Sequence, residues 1–202
     1  QKHMISKPKF KIARRLGAGV YDKTQTPKFS ASTKGGTFGK RPKQLSEYGT
    51  QFLEKQKVRF SYGITERQLS NYVKKASAAH GSHTVEKFFE ELESRLDNFI
   101  YRIGLAPSRR AARQMVSHGH FIVGNHRVTV PSYALKVGDL IKVREGSKSK
   151  KIFGELEAKL KDYIAPTWAS FDLGKMEGKV LAKPKNADTF LDLNAVLEFY
   201  SR

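Results

Sequence analysis

Apolar residues recur at helical spacing over much of this chain, and the longest such run is Val85, Phe88, Phe89, Leu92, Leu96, Phe99, Ile100 and Ile103. Steps of three, four and one place these side chains on one face, which predicts one buried helix closed by Gly104 and Pro107. The acids among them, Glu86, Glu90, Glu91, Glu93 and Asp97, are expected to face water. Upstream, a helical pattern runs from Ser46 to Tyr62 and stops at Gly63. Thr65 and Gln68 then form a capping-box pattern ahead of Leu69, Tyr72, Val73 and Ala76, a second helix ending before Gly81. Downstream, Ser108 is a good N-cap for a short helix from Arg109 to His118, with Gly119 after it.

The period then changes from helical to alternating. Phe121 to Val123, the Gly124-Asn125 pair and Arg127 to Val130 read as a hairpin, and a turn at Val137-Gly138-Asp139 leads into a strand through Leu140, Ile141 and Val143. A lysine-rich loop beyond Glu145 precedes a helix carrying Phe153, Leu156, Leu160 and Tyr163. Strand-like pieces follow at 168–173 and 179–183, and Leu191 to Tyr200 close the chain as a short packed helix. Residues 1–43 hold isolated aromatics without a sustained apolar period, so alone this segment is not expected to fold.

Charge changes what this pattern can be for. The chain carries 38 Lys and Arg against 19 Asp and Glu, a net charge of +19 that calls for a polyanionic partner. Residues 1–80 hold 18 Lys and Arg against 4 acids, whereas residues 81–146 and 147–202 are nearly balanced at 10 against 7 and 10 against 8. No apolar run of membrane-spanning length and no amino-terminal signal pattern is visible, so a soluble, nucleic-acid-binding protein is expected. The absence of cysteine excludes disulfides and thiolate-bound zinc. No internal repeat is present.

Particular residues sharpen the expectation. Arg109 and Arg113 lie at i and i+4 with Arg110 beside them, so three guanidiniums project from one helical side while Ala112, Met115 and Val116 face inward. Guanidinium forks match phosphate oxygens in two places, although a solvated basic face has the same appearance. Arg95 and Arg102 extend that surface or pair with Asp97 or Glu91. Lys55, Arg59 and Tyr62 form a basic and aromatic stripe at i, i+4 and i+7; with Arg67 it suits phosphate contact and base stacking, while Tyr62 fits core or interface equally and Tyr72 follows the core period. His118 and His120, with His126 in the hairpin, suggest hydrogen bonding or stacking on RNA rather than a metal site, since no carboxylates converge on them, while His126 fits an ordinary surface or capping histidine as well. Gly39-Lys40 is followed by Arg41 where a phosphate loop needs Ser or Thr, and Gly17-Ala18-Gly19 lacks a third glycine, so neither nucleotide motif holds. No paired carboxylates with a pocket suggest catalysis, and no cofactor or small-molecule substrate is expected.

The stretch Ser94-Arg95-Leu96-Asp97-Asn98 through Arg102, then Ser108 to Arg113 and Val116-Ser117-His118-Gly119-His120, resembles the bacterial type of small-subunit ribosomal protein four. Further support comes from Glu54-Lys55-Gln56-Lys57 with Arg59, Tyr62-Gly63, Glu66-Arg67-Gln68, Val130-Pro131-Ser132-Tyr133 and the terminal Glu198-Phe199-Tyr200-Ser201-Arg202. The resemblance covers residues 44–202 well and 1–43 loosely.

It implies an α+β fold in three parts. These are a basic extended N-terminal arm (1–43), a small all-helical domain (44–90 plus 187–202), and an inserted mixed helix and antiparallel-sheet RNA-binding domain (91–186) with a helix-turn-helix and hairpin core at 92–146. It further implies a structural constituent of the small ribosomal subunit, on ribosomes of the cytoplasm or of a bacterial-type organelle. Such a protein binds a helix junction in the 5′ domain of small-subunit rRNA, nucleates assembly, neighbours ribosomal protein five, lies near the path by which mRNA enters, and contributes to translational accuracy. RNA contacts are then expected from Lys9, Lys11, Arg14, Arg15, Lys40, Arg41 and Lys43 in the arm. In the helical domain the candidates are Lys55, Lys57, Arg59, Tyr62, Arg67 and Gln68. In the inserted domain they are Arg95, Arg102, Arg109, Arg110, Arg113, His118, His120, Arg127 and Lys136.

Two departures stand out. Many relatives hold zinc on arm cysteines, whereas Phe10 stands about where the first would be and the chain has none. The family hairpin has Asn before Gly, whereas Gly124 precedes Asn125 here, which changes the turn type.

The same RNA-binding module also occurs in RNA-modifying enzymes, but outside residues 92–146 no segment is long enough for a catalytic domain. A lone RNA chaperone module would not need residues 44–91. A general DNA-binding protein would share the charge and not these motifs.

Overall fold

A computed structural model describes residues 8–27, 29, 45–78, 83–150, 152–154, 156, 160, 163–185 and 190–202. The chain divides into two compact units, Gln1–Phe88 with Ala187–Arg202, and Phe89–Asn186. Helices and an antiparallel sheet make the fold α+β. No described helix is long and apolar enough to cross a membrane.

The first unit contains α1 (Lys9–Leu16), α2 (Glu47–Tyr62), α3 (Glu66–Ala78) and the C-terminal α8 (Leu193–Ser201). Local chemistry sets their ends. The Ser46 hydroxyl accepts the Gly49 amide at 3.2 Å, and Gly63 stops α2 in the left-handed region, with Ile64 and Gly63 amides donating to the Arg59 and Phe60 carbonyls. Thr65 and Gln68 complete a reciprocal capping box: the Gln68 Oε1 accepts from the Thr65 amide and the Thr65 hydroxyl from the Gln68 amide. The arm is not extended over its described residues. It forms α1 and two short 3-10 turns, Ala18–Val20 and Asp22–Thr24, and buries Ala13, Leu16, Val20 and Phe29. Eight residues, about two turns, were too short to register as a period, and burial within the unit supplies what propensity does not.

The second unit holds α5 (Leu96–Arg102), α6 (Arg109–Ser117) and α7 (Glu145–Lys148) with a five-stranded sheet. The strands are β1 (Phe121–Val123), β2 (His126–Arg127), β3 (Leu140–Val143), β4 (Ala169–Asp172) and β5 (Glu177–Val180), in the order β2-β1-β3-β5-β4, all neighbours antiparallel. Phe121 pairs with Val143 and Ile141 with Gly178, so alternate residues of β1 and β3 face the core. That core joins Leu96, Phe99 and Ile100 of α5 and Ile103 just past its end to Val116, Phe121, Ile141 and Trp168. The hairpin returns in two residues, with positive φ at Gly124 and not at Asn125, the pattern of a type II′ turn. Residues 145–148, expected as loop, form one helical turn, and β2 ends at Arg127. Leu156 and Leu160 are helical while Tyr163 is not.

The single helix expected over Val85 to Ile103 is two helices. α4 (Thr84–Glu93) ends, Ser94 and Arg95 leave the helix, and α5 starts at Leu96. Residues 131–135 cause the break: the Leu96 and Asp97 amides donate to the Tyr133 and Pro131 carbonyls at 2.9 and 3.1 Å, and the Leu135 amide donates to Ser94 at 2.8 Å. A distant strap thus takes the hydrogen bonds a continuous helix would have made.

Candidate nucleic-acid interface

The α4–α5 break turns two acids inward. Glu93 and Asp97, expected in water, have side chains 0% and 2% exposed. An isolated buried carboxylate would cost several kcal/mol, so each must be surrounded by donors. Asp97 receives Arg95 through Nε at 2.9 Å and Nη2 at 2.7 Å, and Arg113 through Nε at 2.8 Å and Nη2 at 2.7 Å. Glu93 receives the fork of Arg102, with Nε and Nη2 each at 2.8 Å, and the Asn98 amide at 2.9 Å. The Asn98 carbonyl oxygen accepts Arg109 Nε at 2.6 Å, and the Arg109 guanidinium lies 4.5 Å from the Tyr101 ring centroid. Two carboxylates therefore organise four arginines, and the group keeps a formal charge of +2.

These contacts revise the sequence reading. Arg95 is buried as the partner of Asp97 and leaves the set of candidate contacts, the pairing the sequence left open. Arg102, Arg109 and Arg113 have side chains 26%, 18% and 27% exposed, so they are held from below and reach the surface at one edge. Arg110 is exposed. α6 itself is placed by Ser108, whose hydroxyl accepts the Ala111 amide, and by Gly119 just past its end. Gly119 has φ +70, a conformation that favours glycine, and a Cβ there would push aside the Arg127 guanidinium, whose Nε would lie 2.2 Å away. Arg127 donates to the Gly119 and His118 carbonyls at 3.2 Å each, a cation at the negative end of α6.

The histidines separate. His118 and His126 are exposed, whereas His120 is buried, its Nδ1 2.9 Å from the Ser147 hydroxyl. Burial, then the charges of Lys150, His118, Arg144 and Arg127, hold the His120 imidazole below its ordinary pKa. His120 is thus a neutral core residue and not a surface contact. Lys136 is exposed.

In the first unit the expected stripe turns inward. Tyr62 is 2% exposed and belongs to the core, while Tyr72, read as core, is half-buried. Lys55 is buried, donates to Glu66 at 2.8 Å, and sits 4.3 Å from the Phe199 ring centroid. Arg59 reaches the same Glu66 at 3.2 Å, and the Tyr200 hydroxyl donates to it at 2.6 Å. Partial burial opposes the Glu66 charge, but hydrogen bonds from Lys55 and Tyr200 outweigh it and hold the carboxyl below its ordinary range. Burial, then the hydrogen bond to Glu66, pushes the Tyr200 phenol up. Lys55 and Tyr62 therefore leave the set of contacts. Gln68 spends its side-chain oxygen on the α3 cap, and Lys57 pairs with Glu54. Arg67 is exposed. On α1, Lys11, Arg14 and Arg15 share one exposed face while Lys9 lies 5.8 Å from the Tyr21 ring centroid. Lys40, Arg41 and Lys43 lie outside the described residues.

Zinc does not fit this arm. The chain has no thiolate, Phe10 packs against Phe29 with ring centroids 5.9 Å apart, and no group of three metal-ligating side chains exists among the described residues.

Glu93 and Asn98 are the site residues that sequence reasoning missed, and Asp97 was offered only as an ion-pair partner of Arg95 or Arg102. The available signal was two acids among five arginines between positions 93 and 113, at places flanked by Leu92, Leu96 and Phe99.

Comparison with known proteins agrees with this architecture. Residues 5–93 match the model of the ribosomal protein S4/S9 N-terminal domain, and residues 94–141 match the S4 domain. The chain is 45% identical over 201 residues to small ribosomal subunit protein uS4 of Geobacillus stearothermophilus, covering 96% of this chain and 97% of that protein. Its identity to the uS4 proteins of Acetivibrio thermocellus and Limosilactobacillus fermentum is 43% over 204 residues and 42% over 199, covering 95% and 96% of this chain and 96% and 97% of theirs. A correspondence of that extent, end to end and through both matched domains, makes the chain a member of the family of small ribosomal subunit protein uS4, whose members are ribosomal proteins and not enzymes.

Proposed function

We propose that this protein binds small-subunit rRNA directly, at a helix junction of the 5′ domain, and nucleates assembly of the subunit around it. The observation that carries the reading is the arginine array of α5 and α6. Arg102, Arg109 and Arg113 are fixed on buried partners with one edge exposed, Arg110 stands beside them, and the chain as a whole carries +19. Fixed guanidinium forks suit phosphate oxygens of a folded RNA, where position counts as much as charge. Lys11, Arg14 and Arg15 on α1, with Arg67, Arg127 and Lys136, supply further cations. In this reading the unit Phe89–Asn186 is the RNA-binding module and the helical unit carries the basic arm.

The same reading places the protein on cytoplasmic ribosomes of bacterial type, with ribosomal protein five beside residues 168–185 and the C-terminal helix, and with mRNA passing near. Through that neighbour it contributes to decoding accuracy, so charge reversal at the exposed Lys175 or Lys179 is expected to alter miscoding.

Titration of a 5′-domain transcript at several salt concentrations tests the RNA reading. Changing Arg109, Arg110 and Arg113 together to Ala should weaken binding and reduce the slope of log K against log salt by about one for each phosphate no longer engaged. Wild-type affinity and slope in that variant would remove α6 from the interface.

A further inference from the structure

We propose that Glu93 and Asp97 are positioning residues for RNA binding, their buried carboxylates holding Arg102, Arg109 and Arg113 in the orientation that receives phosphate. This rests on the reading of α5 and α6 as the RNA-contacting surface. The acids are too buried to meet RNA themselves, at 0% and 2% side-chain exposure. Their effect has to pass through the arginines.

The geometry gives each acid that role. Glu93 takes the Nε and Nη2 edge of Arg102 in a fork at 2.8 Å twice, and it orients Arg109 through Asn98, which donates to Glu93 and accepts from Arg109. Asp97 takes the same edge of Arg113 while its second oxygen is tied to Arg95. Arg95 is buried, so it locks Asp97 rather than competing for RNA. A free arginine surrenders rotamer freedom when it closes on a phosphate, and one already clamped along one edge surrenders less. The two acids do not cancel the field of the site, because four arginines surround them.

Positioning and simple electrostatics predict opposite signs. Neutralising an acid raises the net charge by one, which by charge alone strengthens attraction for a polyanion. If the acid positions arginines, its neutral isostere weakens binding instead. The experiment is a double-mutant cycle on the full chain with the 5′-domain transcript, using Asp97→Asn, Arg113→Ala and the pair, with Glu86→Gln as an exposed-acid control.

Asp97→Asn is expected to lose about tenfold in affinity in the wild-type background and about twofold or less in the Arg113→Ala background. Glu86→Gln should bind as tightly as wild type or more so. Unchanged or tighter binding by Asp97→Asn overturns the proposal, and so does an equal loss in both backgrounds, which marks a fold effect alone. Should circular dichroism show Asp97→Asn unfolded at the assay temperature, Glu93→Gln with Arg102→Ala forms a second cycle judged by the same criteria. Wild-type binding by Arg113→Ala and Arg102→Ala would overturn the interface reading and this proposal with it. Weakened binding in those variants without coupling to the acids would overturn the proposal alone.

Discussion

Each unit gathers cations around carboxylate, but in different solvent. Glu66 in the first unit is 44% exposed and holds Lys55, Arg59 and Tyr200. Glu93 and Asp97 in the second are almost wholly buried and hold four arginines and an asparagine. Water reaches Glu66 and the Arg59 side of the cluster, so those contacts contribute little net stability, and only the buried Lys55 depends on Glu66 as its charge partner. No solvent reaches Asp97, so losing it strands Arg95 in the interior. The contrast teaches that a shared ion-pair motif is a surface clasp in one setting and a structural commitment in the other.

The largest effect should come from breaking the buried side. Asp97→Ala is expected to cost about 3–5 kcal/mol of stability, whereas Glu66→Ala, which leaves the buried Lys55 without its acceptor but opens to solvent, should cost about 1–2 kcal/mol. Urea midpoints at constant m value measure both, and equal costs would erase the distinction. A smaller contrast lies within α6. Arg113→Ala removes a partner of a buried carboxylate and should cost about 1–3 kcal/mol, while Arg110→Ala, on the exposed face, should shift stability by about 0.5 kcal/mol or less. The sequence places all three guanidiniums on one projecting side, whereas the structure leaves Arg110 exposed and Arg109 and Arg113 partly buried.

The smallest effect is in pH. Both His120 and Glu66 have folded pKa values below their unfolded ones, so in each case the unfolded chain binds the proton first and stability declines as pH is lowered. The His120 contribution is complete above 6.5 and declines as pH drops from there to its lowered folded value. The Glu66 contribution is complete above 4.5 and declines only below it. Urea midpoints measured from pH 7 downward should therefore show an early loss that His120→Gln abolishes and a later one that Glu66→Gln reduces. An early loss unchanged by His120→Gln would mean that its burial does not govern its proton.

What could be read in advance was what neighbours in sequence decide. Ser46 and Gly63, Thr65 and Gln68, Ser108 and Gly119 mark helix ends through contacts three to five residues long, and the Gly124-Asn125 turn is as local. The break at Ser94-Arg95 was invisible because Leu92, Leu96 and Phe99 continue the helical period across it, while its cause lies at residues 131–135. The inward turn of Glu93 and Asp97 follows from that break. Composition assigns acids to the surface, and only tertiary pairing reverses the assignment. The same limit misplaced Lys55 and His120, whose partners Glu66 and Ser147 are 11 and 27 residues away.

The strap across α5 has a consequence in time. The amides of Leu96 and Asp97 find their acceptors on Tyr133 and Pro131, so the start of α5 stays unfinished until the chain has been made through those residues. At about 5–20 residues per second, the intervening forty or so residues take roughly 2–8 s to synthesise. During that interval Asp97 lacks its strap even after α6 with Arg113 has been made, and the arginine array is not yet held as a surface. A nascent chain therefore acquires its α5 and α6 phosphate-binding face as one late event, after the hairpin has emerged, rather than helix by helix.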